Sequence, residues 1–413
     1  MEKLNFFQNK KERFFVYSLL LIIFSLNILS SYNKYLTFID EEIFNTEAYI
    51  LNIYPKKNYF VIKLKTDDFI CYTVSKTRFE IYQNINISLL TKNISFYDYI
   101  KTFYTNSFNI KYTNNKIDYS LKSDILEYIQ NQHNHNLTTS LYEALYLAKL
   151  ISKELRVIVS NYGVSHLIAI SGFHLGIIVT VLYFLLYILY SPIHKIYFPY
   201  RNKKVDILIS SSIILFLYLI MIDISPSFLR SFVMFVLGLY LLRSNIKLIS
   251  FETLLIITLI IISIFPSLLF SLGLWLSITG VFYIFLFIKY FNNLNKYLQF
   301  ILFNYWLFFV MNPIIHYIFY TTSIEQLYSP ILTILFSLFY PISLFLHFIN
   351  QGDLFDNILL IIPNIKINSY EVITPLWLFI SYIFISILSI WYKNSFILLN
   401  IILVLFNGYL FLR

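Results

Sequence analysis

The chain has 413 residues, of which 58% are hydrophobic, 20% aromatic and only 13% charged. Soluble domains average roughly 25% charged residues, so this composition excludes an ordinary soluble domain and specifies a polytopic α-helical membrane protein. The formal charge of +9 fits Lys and Arg in short loops and is compatible with a polyanionic substrate without establishing one.

In chain order, Lys10, Lys11, Glu12 and Arg13 precede an apolar run over 14–32. No small-residue cleavage site follows, so 1–32 reads as a basic segment and an uncleaved first helix, with the basic end in the cytoplasm. Residues 33–135 differ in composition: Lys, Asp, Asn and Thr are frequent and no long apolar run occurs. Alternation and turn residues predict strands over 48–54, 59–65, 69–74, 85–90 and 108–112. Short strands at this spacing fit a small all-β barrel, extracytoplasmic if the first helix crosses outward. Residues 136–163 predict an amphipathic helical connector, with Leu141, Ala144, Leu145, Ala148 and Leu155 on its apolar side.

Residues 164–413 predict a multi-helix membrane domain. Candidate spans are 164–190, 205–223, 228–242, 248–265, 269–289, 297–319, 328–348, 375–392 and 396–412. With the first helix they make about ten transmembrane helices, although 228–242 is short for a span. His194, Lys195, Arg201, Lys203, Lys204, Arg243, Lys247, Lys289 and Lys296 then share the side of the basic N-terminus. The 350–373 loop, with Asp353, Asp356, Lys366 and Glu371, is ambiguous and has room for a re-entrant segment.

Polar residues inside apolar segments mark function, because burying them in lipid is costly. Three of the eight glycines and two of the seven histidines fall within 163–176. On a straight helix Ser165, Ala169, Gly172 and Gly176 share one face, a packing stripe that contains a GxxxG pattern. His166, Ser171 and His174 project elsewhere, toward a partner, a cavity or water. A second stretch holds Asp223, Ser225, Pro226, Ser227 and Arg230. An Arg near a bilayer centre costs about 2.5–3.5 kcal/mol, so Arg230 either pairs structurally, with Asp223 or helix-end carbonyls, or sets its guanidinium beside passing phosphates. Two further stretches carry Gly273, Trp275, Ser277, Thr279 and Gly280, and Thr321, Ser323, Glu325, Gln326, Ser329 and Thr333.

Enzyme readings are weaker. His133 and His135 lack compatible third and fourth zinc ligands nearby, and the single Cys71 excludes a disulfide and a cysteine metal cage. Ser171-Gly172 is similar to the serine neighbourhood of rhomboid-type proteases, with His316 or His347 as base, but that family would not carry the Arg230 stretch or the β-domain. No Walker motif occurs. The expectation is a non-enzyme with no metal and no cofactor.

Gly163-Val-Ser-His-Leu-Ile-Ala-Ile-Ser-Gly-Phe-His-Leu-Gly176 closely resembles the signature of the ComEC-type competence proteins. The segment from Ser225 to Met234 is similar to that family's P-S-x-x-R-A-x-hydrophobic-M run, with Ser231 in the usual Ala place. Phe265-Pro266 through Ser277 resembles its G-F-x-L-S segment, with Leu274 and Trp275 departing from it. Ser329-Pro330 through Leu335 resembles its S-P-x-x-N run, with Thr333 in the Asn place. Phe96-Tyr-Asp98-Tyr99 resembles the element that ends the family's OB-like domain. The resemblance covers most of 35–345.

It implies a channel that passes single-stranded DNA across the bacterial inner membrane during natural transformation. His166, Ser171, His174, Asp223, Arg230 and Ser277 are the candidates for the DNA path. The β-domain becomes an OB-like domain, able to offer Lys56, Lys57, Lys63, Lys65 and Tyr59 to the strand, with Tyr54 and Tyr72 beside them. The H-x-H-x-D-H motif of the family's nuclease-like domain does not occur. The implied partners are therefore single-stranded DNA, membrane lipid, and a separate DNA receptor, nuclease, and motor or single-strand-binding protein, with room for a homo-oligomer. The competing class is a small-molecule or ion transporter.

Overall fold

The computed structural model describes residues 7, 9–79, 81, 83–113, 121–243, 250–362 and 367–412. Two compact units emerge, one of 1–125 with 255–274, the other of 126–254 with 275–413.

The first unit begins with helix α1 (Lys10–Asp40), 31 residues uninterrupted by Gly or Pro. It runs two turns beyond the expected end at 32 because Tyr35 and Phe38 remain apolar anchors. Phe38 is buried among Phe44, Phe69, Tyr99 and Phe103, so the helix is pinned into the core of the strands that follow. Those strands are β1 (Ile43–Pro55), β2 (Phe60–Lys65), β3 (Ile70–Ser75), β4 (Asn84–Leu90), β5 (Phe103–Tyr104) and β6 (Ser107–Tyr112). The five expected strands are present, and the two-residue β5 is additional.

The sheet order is β5-β3-β2-β1-β4-β6. β5 and β6 sit at opposite ends of that order yet are separated only by Thr105 and Asn106. Thr105 donates its N–H to the Tyr72 carbonyl (2.9 Å), and the Asn106 carbonyl accepts from Leu90 (3.0 Å). One stretch of chain thus pairs with both edges, and the sheet curls closed, which removes exposed edges. Alternation sets its faces: Ile50, Ile62, Leu64, Cys71, Ile85 and Leu89 are fully buried, while Lys63, Lys65 and Tyr72 point the other way. Burial pushes the Cys71 thiol up to about 12 and lowers the Lys63 amine. Helix α2 (Phe96–Lys101) starts at a reciprocal cap between Ser95 and Asp98. Asn27 of α1 donates to the Ser263 carbonyl (2.7 Å) in the same unit.

The remaining elements are helical apart from one two-residue strand pair. They comprise α3 (Leu121–Gln130), α4 (Asn136–Leu147), α5 (Lys153–Asn161), α6 (Ser165–Ile168), α7 (Gly172–Tyr197), α8 (Lys203–Met221), α9 (Pro226–Arg243), α10 (Phe251–Ile264), α11 (Leu272–Phe291), α12 (Lys296–Ile318), α13 (Ser329–Phe348), α14 (Asp356–Leu359), α15 (Leu376–Leu388) and α16 (Lys393–Phe411). The 350–373 loop holds no span among its described residues. It carries a 3-10 turn at Gly352–Phe355, α14, and β8 (Tyr370–Glu371), which pairs with β7 (Thr321–Thr322). Lys247 and Lys366 lie outside the described residues.

Among the described residues seven helices are long and apolar enough to cross a membrane. Three more apolar helices, 227–240, 251–264 and 376–388, are shorter, and a span needs about 20 residues. The expected count of about ten transmembrane helices is therefore not reached: among the described residues seven have full crossing length. The protein is a multi-pass helical membrane protein.

Two segments differ from expectation. The connector at 136–163 is two helices, because Ala148 turns left-handed at the end of α4 (φ 56°) and Ser152 caps α5. The span expected at 164–190 is broken at 169–171, where Ala169 and Ser171 are extended. In the second unit, α11, α12, α15 and α16 pack around Tyr283, Trp306, Val310, Tyr382, Leu399 and Leu403. Polar bonds fasten these helices in the lipid-like interior: Tyr283 with Ser386 (2.9 Å), Trp306 with Asn400 (2.8 Å) and Asn312 with Asn407 (2.6 Å).

Candidate functional site

The segment 163–176 divides in two at the break, and each part is held by a different motif. Gly163 has φ +65°, the left-handed region, and a Cβ there would meet Gln326 at 3.3 Å. Its carbonyl accepts from Ser329 Oγ (3.0 Å). His166 follows, with Nδ1 3.2 Å from that same carbonyl and Nε2 3.3 Å from Thr333 Oγ1. Gln326 donates to the Ser160 carbonyl (3.1 Å), and Ser323 to that of Asn161. The 321–333 stretch therefore clamps the entry of the signature segment, a pairing that no local sequence pattern announced.

Beyond the break, Ser171 caps α7. Its Oγ accepts from Phe173 N–H (3.3 Å), and its own N–H is 3.3 Å from His174 Nδ1. The exchange is a capping box with His in the place usually held by Glu or Gln. His174 is fully buried, edge-on to Phe336 (5.3 Å) and Tyr340 (4.8 Å), and its Nε2 makes no hydrogen bond among the described residues. It faces aromatic rings of α13 rather than an open cavity.

Gly172 is a point of tight approach between α7 and α9. A Cβ on it would lie 2.6 Å from Ser231 Oγ, 3.3 Å from Ser231 Cβ and 3.2 Å from the Arg230 guanidinium. Arg230 donates through Nε to Ser277 Oγ (2.7 Å) and through a terminal nitrogen to Ser231 Oγ (2.8 Å). Ser231 in turn donates to the Ser227 carbonyl (2.9 Å). The charge is held among hydroxyls that share its hydrogens without neutralising it. Asp223, seven residues earlier, lies in a tight turn with φ 58°, and the hydrogen bonds of Arg230 just described do not include it.

The expected small-residue face is corrected. The break puts Ser165 and Ala169 on a different element from Gly172 and Gly176. Nothing lies within 4 Å of a Cβ built on Gly176, so of the two glycines Gly172 alone lies at a tight approach, and Ser165 and Ala169 are exposed. Arg230, Ser277 and Gly172 meet, with Ser231 completing the group. His166, His174 and Asp223 sit at separate places along the same unit. Neither alternative base reaches Ser171: His316 bonds Thr322 and the Asn312 carbonyl, and His347 bonds His133 and the Ser343 carbonyl.

A family model for competence proteins matches residues 148–411, more than half of the chain. The chain belongs to the competence protein family. The match spans α5 to α16, including every residue of the two clusters around the signature segment, and it leaves strands β1 to β6 outside. No curated protein and no solved structure matches the chain.

In the stranded unit, Lys56, Lys57, Tyr59 and Lys65 are exposed and Lys63 is half-buried. Lys63 and Lys65 share one face of β2. Lys63 pairs across to Tyr72, its amine 5.9 Å from the ring. Tyr54 lies 6.3 Å from the same ring. Tyr104, exposed and in register with Tyr72, extends this basic and aromatic face. Sequence reading missed Tyr104 because its strand is two residues long.

Proposed function

We propose that this competence-family protein is a conduit for single-stranded DNA across the bacterial inner membrane during natural transformation. The observation that carries the reading is the cluster of Arg230, Ser231, Ser277 and Gly172. A guanidinium held by hydroxyls inside an apolar helix keeps its charge available to a phosphate oxygen, which is a stronger acceptor for it than a neutral hydroxyl. A polyanion crossing lipid needs such groups, because unpaired charge in a low-dielectric path is expensive. The conduit opens by separating α7 from α9 at Gly172, where a Cβ would meet Ser231.

The stranded unit is read as OB-like and extracytoplasmic. Its closed sheet and its face of Lys63, Lys65, Tyr72 and Tyr104 suit stacking and phosphate contact with a single strand. The N-terminus is cytoplasmic, following Lys10, Lys11 and Arg13. Direction and energy come from other proteins: a receptor, a nuclease, and a motor or single-strand-binding protein.

The deciding experiment is a transformation assay in a strain deleted for this gene, scoring labelled DNA that reaches the cytoplasm. Uptake should be lost and should return on complementation. Normal uptake in the deletion strain refutes the reading and favours a small-molecule or ion transporter.

A further inference from the structure

Away from the signature segment, three buried titratable groups meet between α4, α13 and α14. His133, in the turn before α4, has a fully buried ring stacked on Tyr142 (4.6 Å between centroids, 11° between planes). Its Nδ1 is 3.1 and 3.0 Å from the two carboxyl oxygens of Asp356. Its Nε2 is 2.9 Å from His347 Nε2. His347 Nδ1 is 2.7 Å from the Ser343 carbonyl. Thr138 Oγ1 is 3.0 Å from Asp356, and the Tyr146 hydroxyl donates to Ser343 Oγ (2.9 Å).

These contacts count the protons. A carbonyl only accepts, so His347 Nδ1 carries hydrogen and the neutral ring offers a lone pair at Nε2. His133 Nε2 must then donate across the 2.9 Å. His133 Nδ1 faces a carboxylate, so one further proton lies on that contact, either on the ring or on Asp356. In both cases the three groups together are neutral, and they hold one proton more than two neutral imidazoles and a carboxylate. Remove it, and His133 turns its remaining hydrogen to Asp356, leaving two Nε2 lone pairs opposed. Add one more, and two N–H groups on two cations oppose each other. Either state breaks the contact in an interior where uncompensated charge is costly.

We propose that Asp356, His133 and His347 form a proton-binding latch, in which one bound proton joins 131–147 to the end of α13 and to α14. Gain or loss of a proton opens the joint. The other titratable groups around it are Tyr142, Tyr146 and Tyr128, whose hydroxyl donates to the His347 carbonyl (2.8 Å). Glu143 on α4 is engaged by Lys149 (2.7 Å) and Gln130 (2.5 Å), and Asp353 is exposed. The backbone closes over the pair at Gly352, where a Cβ would lie 2.8 Å from His347 Nε2. Among the described residues no group of three or more His, Cys, Asp or Glu is arranged for a metal. A cation bound at about 2.0–2.1 Å from each nitrogen would force the rings apart.

The latch sits on a helix that also holds the signature segment. Thr333 of α13 meets His166, and Phe336 and Tyr340 meet His174. From 333 to 347 is roughly 21 Å at 1.5 Å per residue. A change of proton count at one end of α13 therefore bears on the helix that positions the signature at the other.

The test uses the full chain in detergent, with histidine ring nitrogens labelled with nitrogen-15 and observed by NMR between about pH 5 and 8. One ring should hold a hydrogen-bonded proton on Nε2 and share a second through Nδ1 with Asp356. A second ring should hold hydrogen on Nδ1 alone. On acidification, amide exchange in 131–147 and 350–359, corrected for its intrinsic pH dependence, should accelerate at least about tenfold, the scale of a lost charge-assisted hydrogen bond. His347→Gln, which accepts from His133 but does not titrate, should abolish that acid response. Asp356→Asn should remove the extra proton and leave the same segments fast-exchanging throughout. Seven independently titrating imidazoles, an acid response unchanged in His347→Gln, or wild-type protection in Asp356→Asn would each overturn the latch.

Discussion

At the scale of single residues, the geometry at Gly172 sets a sharp expectation. A methyl group there would sit 2.6 Å from Ser231 Oγ, so Gly172→Ala forces the Ser231 hydroxyl out of its bonds or the two helices apart. Overpacking of this kind costs about 1–3 kcal/mol, and thermal unfolding in detergent should show it. Adding Ser231→Ala removes the hydroxyl but leaves its Cβ at 3.3 Å, so the double variant should recover only part of the loss. Full recovery would place the conflict in the hydrogen bond from Arg230 rather than in helix spacing. Arg230 itself bonds two hydroxyls on different helices, Ser231 and Ser277, a geometry that a single ammonium cannot reproduce. Arg230→Lys should therefore keep charge and partial DNA uptake. Arg230→Gln should abolish uptake while membrane levels of protein stay near normal. A fall in folded protein for both variants would instead mark a structural charge whose removal strands a partner, and full uptake by Arg230→Gln would remove the residue from the site.

At the scale of elements, the start of α7 is where local chemistry overrides hydropathy. Ser171 and His174 exchange hydrogen bonds across its first turn, so Ser171→Ala should cost about 0.5–2 kcal/mol. An equally stable Ser171→Ala variant would show that packing against Phe336 and Tyr340 alone places the helix. The break before it was invisible to hydropathy because Leu167, Ile168, Ala169 and Ile170 continue the apolar run. A serine inside such a run reads as a packing residue until its backbone is seen to be extended. The strands were legible for the opposite reason: Ile62 and Leu64 alternate with Lys63 and Lys65, and a period of two has one interpretation. The closing strand was only half legible, since β5 is two residues and its partner β3 lies about 30 positions earlier. For the site, composition singled out Arg230, Ser277 and Gly172 as unusual, but not that they touch. The bond from His166 to Thr333 crosses 167 positions, a separation at which one sequence carries no pairing information.

At the scale of the whole molecule, the competence-family reading requires one chain to handle a polyanion in two ways. In the proposed function the stranded unit would meet it in water, where phosphate contacts release counterions, and the helical unit in lipid, where charge must be presented sparingly. These regimes differ in their response to salt. Binding of an oligonucleotide by the full chain in detergent, followed by fluorescence anisotropy, should weaken as salt rises, by about 0.7 in the log–log slope for each phosphate neutralised on a single strand. Lys63→Gln and Lys65→Gln should each flatten that slope by about this amount, because the two side chains share one face of β2. Tyr72→Ala should behave differently. It removes a stacking surface worth about 1–3 kcal/mol per base, so affinity should fall while the slope is kept. Lys63→Gln will also alter Tyr72, whose ring lies 5.9 Å from the amine, so the Lys65 variant is the cleaner measure of charge alone. Equal affinity at low and high salt, or no binding at low salt, would exclude this face as the DNA contact and leave the Arg230 cluster as the meeting point with the strand.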